Sequence, residues 1–282
     1  MLLPAIKADA YGHGIAEVFN VLISEGIKWV GVATFNEAEK LRKLDKATNI
    51  LVFGPVETED MRKAIDMNIA FPLTSMDEID FLNENNLAPR VHLAVDTGMG
   101  RIGFSRNSLD EVKRKTEENS KINVEGIFSH LALKDEKSDY DQFNKFINLL
   151  DKVKRINIPI KHICDSIGMV AYKDFHMDMV RVGASLYGYN SRKSEMDLKP
   201  AMTFKSKFAQ IKTIKKGEGI SYDYSYIADK DMKVGTVLCG YSDGIPRILS
   251  NKGYVYVNGK KANILGKICM DQCIVDLTDI KD

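Results

Sequence analysis

Short runs of apolar and β-branched residues recur near positions 2–6, 29–33, 50–53, 69–73, 91–95, 124–128, 160–163 and 179–184, and within each run the apolar character is nearly continuous. A continuous apolar strand belongs in a sheet covered on both faces, which is as a rule a parallel one. The stretches between the runs carry the helical period. Ile15, Val18, Phe19, Leu22 and Ile23 fall on one face, and Thr34 followed by Glu37 spells a capping box at a helix start. Repeated strand and helix units of this kind predict an α/β chain closed as a (β/α)8 barrel of the TIM type. An open doubly wound sheet is the alternative. It calls for a GxGxxG phosphate loop after the first strand, which Gly12-His13-Gly14 does not supply.

Beyond Tyr189 the pattern changes. Ser191 to Pro200 is polar and reads as a linker, then Met202 to Ile214 and Val234 to Leu277 read as strands with turns at Gly217, Asn251 to Gly253 and Asn258-Gly259. The expected organisation is a barrel over 1–190 and a mostly β C-terminal domain over 191–282. A core strand beginning at the second residue, and a last strand stopping near Asp282, read as a chain clipped at both ends with the second domain incomplete.

Composition narrows the function classes. Lys plus Arg (40) nearly equals Asp plus Glu (39), so no net field draws the chain to nucleic acid or to an anionic membrane surface. No apolar run approaches the roughly 18 residues of a spanning helix, and a cytoplasmic location is expected. Cys164, Cys239, Cys269 and Cys273 are too few for a disulfide framework and match no common zinc spacing, so buried thiols and no metal site are expected.

The polar residues that stand out lie at the carboxyl ends of the predicted strands: Lys7, Asp96 to Arg101, His130, Asp165 with Ser166, and Arg181. That end of a barrel is where active sites are built. A lysine leaving a buried strand suits Schiff-base chemistry, Arg101 among three glycines suits a forked grip on a carboxylate, and Ser166 suits donation to a phosphate.

The octet Lys7-Ala-Asp-Ala-Tyr11-Gly-His-Gly resembles the cofactor-attachment motif of the alanine racemases, barrel enzymes that use pyridoxal 5'-phosphate (PLP), and further motifs follow in that family's order. The resemblance implies that Lys7 holds PLP and that Tyr11 reaches its phosphate. Asp96-Thr-Gly-Met-Gly-Arg101-Ile-Gly is similar to the segment whose arginine contacts the substrate carboxylate. His130 matches the histidine packed on the pyridine ring, and His162 one that lies behind it. Met179-Val-Arg181-Val-Gly183-Ala184 resembles the last barrel strand, implying that Arg181 meets the pyridine nitrogen and that Gly183 and Ala184 offer backbone N–H groups to the phosphate. In the second domain Tyr222 matches the second catalytic acid/base, Met270 and Asp271 a substrate-contacting segment, and Tyr241 the access channel. There are two departures. Ala94 stands where many members carry a lysine, often carbamylated, that orients the arginine. Asp165 stands where an asparagine is usual, and a carboxylate beside a phosphate must point away, meet a cation or be protonated.

The resemblance implies a two-base racemisation of alanine, with Lys7 working on the D-enantiomer and Tyr222 on the L-enantiomer, supplying D-alanine for cell-wall peptidoglycan. It also implies a head-to-tail homodimer in which Tyr222 and Met270 complete the other subunit's site. Arginine does not hand a proton to the pyridine nitrogen, so the ring is a weak electron sink, which favours racemisation over transamination. The alternatives are a serine or broad-specificity racemase, suggested by Ala94, a PLP-binding fragment without turnover, and a decarboxylase of the same fold group.

Overall fold

In a computed structural model, residues 1–154, 156–189 and 196–280 are described. They form two compact units, Met1–Met202 and Thr203–Asp282. The expected domain boundary, and half of the expected linker (191–195), lie outside the described residues.

The first unit is a (β/α)8 barrel. Its strands are β1 (Leu2–Pro4), β2 (Trp29–Val32), β3 (Asn49–Val52), β4 (Phe71–Leu73), β5 (Arg90–Ala94), β6 (Asn123–Phe128), β7 (Ile160–His162) and β8 (Val180–Val182), at the eight places where the apolar runs predict them. Between them lie α1 (Lys7–Gly12), α2 (Ile15–Ser24), α3 (Phe35–Leu44), α4 (Thr58–Asp66), α5 (Met76–Glu84), α6 (Leu109–Glu118), α7 (Glu136–Val153) and α8 (Ser166–Ala171). Neighbouring strands pair in parallel, and β8 pairs with β1. Single bridges join β1 to β2 at Ala5 and Gly31 and β3 to β4 at Leu51 and Ala70. Arg181 N–H donates to the Cys164 carbonyl (3.0 Å), closing β8 onto the end of β7.

The strands are mostly apolar because both of their faces are buried, and the polar residues they do bury, His92, His162 and Arg181, are hydrogen-bonded to one another. Val30, Val32, Ile50, Val52, Val91, Leu93 and Ile127 pack outward under the helices, while Leu3, Trp29, Leu51, Ile160 and Met179 form a separate cluster with Phe53. Two glycines make room for large rings: a Cβ at Gly31 would lie 2.0 Å from the Phe53 ring, and one at Gly126 would lie 2.2 Å from that of His92. The capping box at Thr34 forms as expected. The last barrel strand is shorter than its apolar run. It stops at Val182 because Gly183 turns the chain (φ −111°, ψ −94°) into a 3-10 turn over Ala184–Tyr187.

The second unit is mostly β. Strands β9 (Phe208–Ile214), β12 (Met232–Val237), β13 (Tyr254–Val257), β14 (Lys260–Leu265) and β15 (Cys273–Asp276) form an antiparallel sheet in the order β13-β14-β15-β12-β9. A small pair, β10 (Gly219–Ile220) and β11 (Tyr226–Ile227), accompanies it. The β13–β14 hairpin turns on Asn258 and Gly259, both at positive φ (49° and 77°), as a two-residue turn between twisted strands requires. Cys164, Cys239 and Cys273 are buried thiols as expected, whereas Cys269 is only half-buried. No helix among the described residues is long and apolar enough to cross a membrane.

Candidate active site

At the carboxyl ends of the barrel strands lies a cavity of about 460 Å³, lined by Lys7, Tyr11, Arg101, His130, Ser166, Arg181, Gly183 and Ala184 together with Phe53, Phe128, Asp165 and Tyr189. Residues at six strand ends thus meet in one space, although Lys7 and Tyr189 are 182 residues apart in sequence.

Lys7 leaves β1 into a turn whose hand the sequence does not reveal. Ala8, Asp9, Ala10 and Tyr11 all have positive φ (52°, 53°, 54° and 56°), one turn of left-handed helix. For residues with a Cβ this costs about 1–2 kcal/mol each, so neighbouring contacts must over-determine it. Ala10 N–H donates to Ile6 O and Gly14 N–H to Asp9 O. The Asp9 carboxylate accepts from Ile15 N–H at the start of α2 (2.8 Å), and Ala8 N–H donates to the Glu37 carboxylate (2.6 Å). The turn carries Tyr11 over to β8: a Cβ at Gly183 would lie 2.4 Å from the Tyr11 hydroxyl, so any other residue there would displace the Tyr11 ring.

Ser166 opens α8, and its Oγ accepts from Gly183 N–H (2.8 Å) and Ser185 N–H (3.3 Å). The Gly183 N–H expected to face a phosphate is therefore engaged by Ser166, whose own O–H remains the donor toward the cavity. Asp165 resolves its expected conflict by a route the sequence reading does not contain. It caps α8, accepting from Ile167 N–H (3.0 Å) and Gly168 N–H (2.9 Å) through one oxygen, while still lining the cavity.

Arg181 is buried at 6% exposure. Its Nη1 donates to His162 Nδ1 (2.7 Å), and the two hydrogens of Nη2 are shared among Ser129 O (2.8 Å), Ile163 O (2.9 Å) and His130 Nδ1 (3.0 Å), while the guanidinium lies over the Phe128 ring. Burial lowers its pKa to about 10, an effect opposed by Asp165, so it remains a cation at neutral pH. Because arginine only donates, the protons of the neighbouring histidines follow. His162 Nδ1 is a lone pair, so its Nε2 carries the proton and donates to His92 Nδ1 (2.9 Å). His92 then carries its proton on Nε2, a buried atom with no hydrogen-bond partner among the described residues, on a ring set edge-on to Trp29. Burial first, and Arg90 and Arg181 next, push His92 down to about 3. Burial followed by Arg181 pushes His130 to about 3 as well, and His162 lies well below the usual histidine range.

Arg101 is placed by a loop that folds back on its own strand. Phe104 N–H donates to Ala94 O (2.8 Å), Asp96 N–H to Phe104 O (3.0 Å), and the Asp96 carboxylate accepts from Gly98 N–H (2.8 Å) and Gly100 N–H (3.1 Å). Ala94 is buried, and a Cβ at Gly103 would lie 2.9 Å from its carbonyl carbon. Beneath the loop, Gln142 donates to Thr97 Oγ1 and His130 O and accepts from Ala132 N–H, a support the sequence reading missed.

The remaining candidates lie in the second unit, on three loops tied to one another. Ser221, beside Tyr222, donates to Lys267 O, and Lys267 pairs with Asp223. Tyr241 N–H donates to Cys269 O, and Ser242 binds Met270 O through both N–H and Oγ. Tyr222 and Met270 are 65% and 61% exposed, and Tyr241 and Asp271 are exposed beside them. The structure thus gathers two sets, one in the barrel cavity and one on the loops of the β unit.

Comparison with known proteins places this geometry in a family. Residues 1–191 match the alanine racemase N-terminal domain and residues 201–282 the alanine racemase C-terminal domain. The chain belongs to the alanine racemase family. It is 37% identical to the alanine racemase of Halothermothrix orenii over 294 aligned positions, covering 100% of this chain and 77% of that one. Among solved structures it superposes on the alanine racemase of Clostridium difficile 630 with a TM-score of 0.92 at 32% identity, covering 100% of this chain and 77% of the other. The alanine racemase of Bartonella henselae, solved with covalently bound pyridoxal phosphate, superposes with a TM-score of 0.91 at 29% identity, covering 100% and 80%. The family is PLP-dependent, and the cavity suits that cofactor on three observations. It has the volume for a small aromatic phosphate, it holds a lysine amine at a strand end, and Gly183 leaves a cradle beside the Ser166 and Tyr11 hydroxyls that a Cβ would fill.

Proposed function

We propose that the chain is a PLP-dependent racemase that interconverts L- and D-alanine by two-base proton transfer at Cα. The observation that carries this is the convergence of Lys7, Arg101 and Arg181 on one cavity in a member of the alanine racemase family. Bound PLP would supply an electron sink that makes the substrate's Cα–H acidic. Lys7 would hold the cofactor, with the Ser166 and Tyr11 hydroxyls, Gly183 and Ala184 at its phosphate and Arg181 and His130 at its ring. Lys7 Nζ then takes or returns the Cα proton on one face, and the Tyr222 hydroxyl does so on the other. Arg101 grips the substrate carboxylate with its fork of N–H groups, and Met270 and Asp271 bound the substrate. Arg181 holds its charge because the carbonyls of Ser129 and Ile163 solvate it in place of water.

The reading includes a head-to-tail homodimer in which Tyr222, Tyr241, Met270 and Asp271 serve the cavity of the other subunit. It is supported by the exposure of Tyr222 and Met270 on mutually tied loops. A cytoplasmic location, supported by four unpaired cysteines, and supply of D-alanine to the cell wall belong to it as well. Serine remains the second substrate to test, because Ala94 removes the long side chain many members place under the arginine.

Incubation with PLP and L-alanine in heavy water tests the reading, with chirality and Cα deuterium followed together and L-serine run in parallel. Deuterated D-alanine is the expected product. In Tyr222→Phe, exchange starting from L-alanine should fall by about 100-fold or more while PLP capture at Lys7 persists. Full activity in that variant would remove Tyr222 from the mechanism, and absence of exchange from wild type would refute the racemase reading.

A further inference from the structure

We infer that Glu37 is a positioning residue for Lys7, acting through the peptide that joins Lys7 to Ala8. This rests on Lys7 being the residue that holds PLP.

Glu37 lies in the first turn of α3, after β2, where its evident role is the capping box with Thr34. The contacts say more than that. A capping box needs the glutamate to reach the N–H of its own cap residue, and that bond, to Thr34 N–H, is the longest of the three at 3.2 Å. The shorter ones go to Ala33 N–H (2.8 Å) through the same oxygen and to Ala8 N–H (2.6 Å) through the other. One carboxylate therefore bridges the ends of adjacent barrel strands β1 and β2 with charge-assisted hydrogen bonds.

The Ala8 N–H needs an outside partner. It is one of the first N–H groups of a left-handed helical turn, which have no acceptor within the turn. It also belongs to the same rigid plane as the Lys7 carbonyl. That plane also contains the Cα–C bond of Lys7, so with the chain before it held to β2 by Ile6 N–H donating to Gly31 O (2.8 Å), fixing the plane fixes N, Cα and C of Lys7 and hence the direction of its Cα–Cβ bond. Four consecutive non-glycine residues at positive φ follow this peptide, so the backbone's own preference pulls it elsewhere. Without the Glu37 carboxylate, the fold and the α3 helix remain but the aim of Lys7 relaxes.

The test compares Glu37→Ala with Thr34→Ala, which removes the side chain on the opposite side of the same cap without touching Ala8. Three quantities are measured on each full-length chain: the melting temperature, the rate at which PLP is captured on Lys7 (fixed by borohydride and located by peptide mass), and kcat and KM for alanine. Both variants should melt lower than wild type. Only Glu37→Ala should lose kcat, by about 10- to 100-fold with KM within about twofold, and capture PLP correspondingly slowly, as expected for a misaimed group. Glu37→Gln, which keeps one accepting oxygen, should recover part of both rates. If Glu37→Ala does not fold, Glu37→Gln against Thr34→Ala is read by the same criterion. Equal changes in the Glu37 and Thr34 variants, or capture and kcat within about twofold of wild type in the Glu37 variant, overturn the inference. Absence of PLP on Lys7 in the wild-type chain would instead refute the proposed function on which it rests.

Discussion

Replacing Lys7 by arginine is expected to lower alanine racemisation by about 10⁴-fold, the upper range for loss of a positioned acid/base, because the same change also removes the only amine among the described residues that line the cavity. Arginine keeps the charge and roughly the length, so the fold should survive. Its guanidinium stays protonated above pH 12 and forms neither a stable bond to an aldehyde nor a base for Cα. The measurement pairs two readings: D-alanine formed from L-alanine, and PLP retained after borohydride reduction, which should be absent from the peptide containing position 7. In Lys7→Ala, added methylamine should restore part of the exchange by filling the vacated space with a free amine. Activity within about tenfold of wild type in Lys7→Arg would assign the base to another group.

The second large effect is on stability in mild acid. His92 and His130 titrate near 3 in the folded chain and His162 well below its usual range, because burial and Arg181 disfavour their charged forms. In the unfolded chain all three titrate near 6.5. Between those values the unfolded chain binds protons that the folded chain does not, so stability is full above about pH 6.5 and is lost as pH falls toward 3. Each histidine contributes a slope of about 1.4 kcal/mol per pH unit, and three together about 4, against a total stability of roughly 5–15 kcal/mol. The chain should therefore lose several kcal/mol of stability within about two pH units below 6, a large fraction of the total. Urea midpoints measured from pH 8 to 5 check this. His92→Gln, which keeps an acceptor for the His162 proton, should cut the slope by about one third. A slope of one proton or less in wild type would mean that the histidines are not buried in their neutral forms.

The two predictions draw on different kinds of information. Lys7 and Arg101 are legible in sequence because the motifs around them are local: glycines at Gly98, Gly100 and Gly103 adopt positive φ within the loop that carries the arginine. The barrel is legible for a related reason, since a strand buried on both faces reads as a near-continuous apolar run. His92 was not legible. Inside a strand it looks like any polar interruption, and its meaning comes from His162, 70 residues later, and from the gap left by Gly126 on the neighbouring strand. Asp165 was legible as a departure but not as a helix cap, because the helix it caps is only six residues long. Glu37 was read correctly as one half of a capping box, while its stronger bond runs 29 residues back to Ala8.

By itself, then, the order of residues determined the count of barrel strands, the helical faces, the presence of a mostly β unit after the barrel and the motifs that mark a PLP enzyme of the racemase type. These follow from periodicity and from short segments whose conformation is decided by near neighbours. Tertiary structure alone decided the left hand of the turn after Lys7, the tautomers along Arg181, His162 and His92, and the closure of the Arg101 loop onto the Ala94 carbonyl. Each of these is set by a donor or acceptor brought in from a distant strand. A backbone conformation costing about 1–2 kcal/mol per residue, or a proton on one ring nitrogen rather than the other, is selected only when that distant partner is in place.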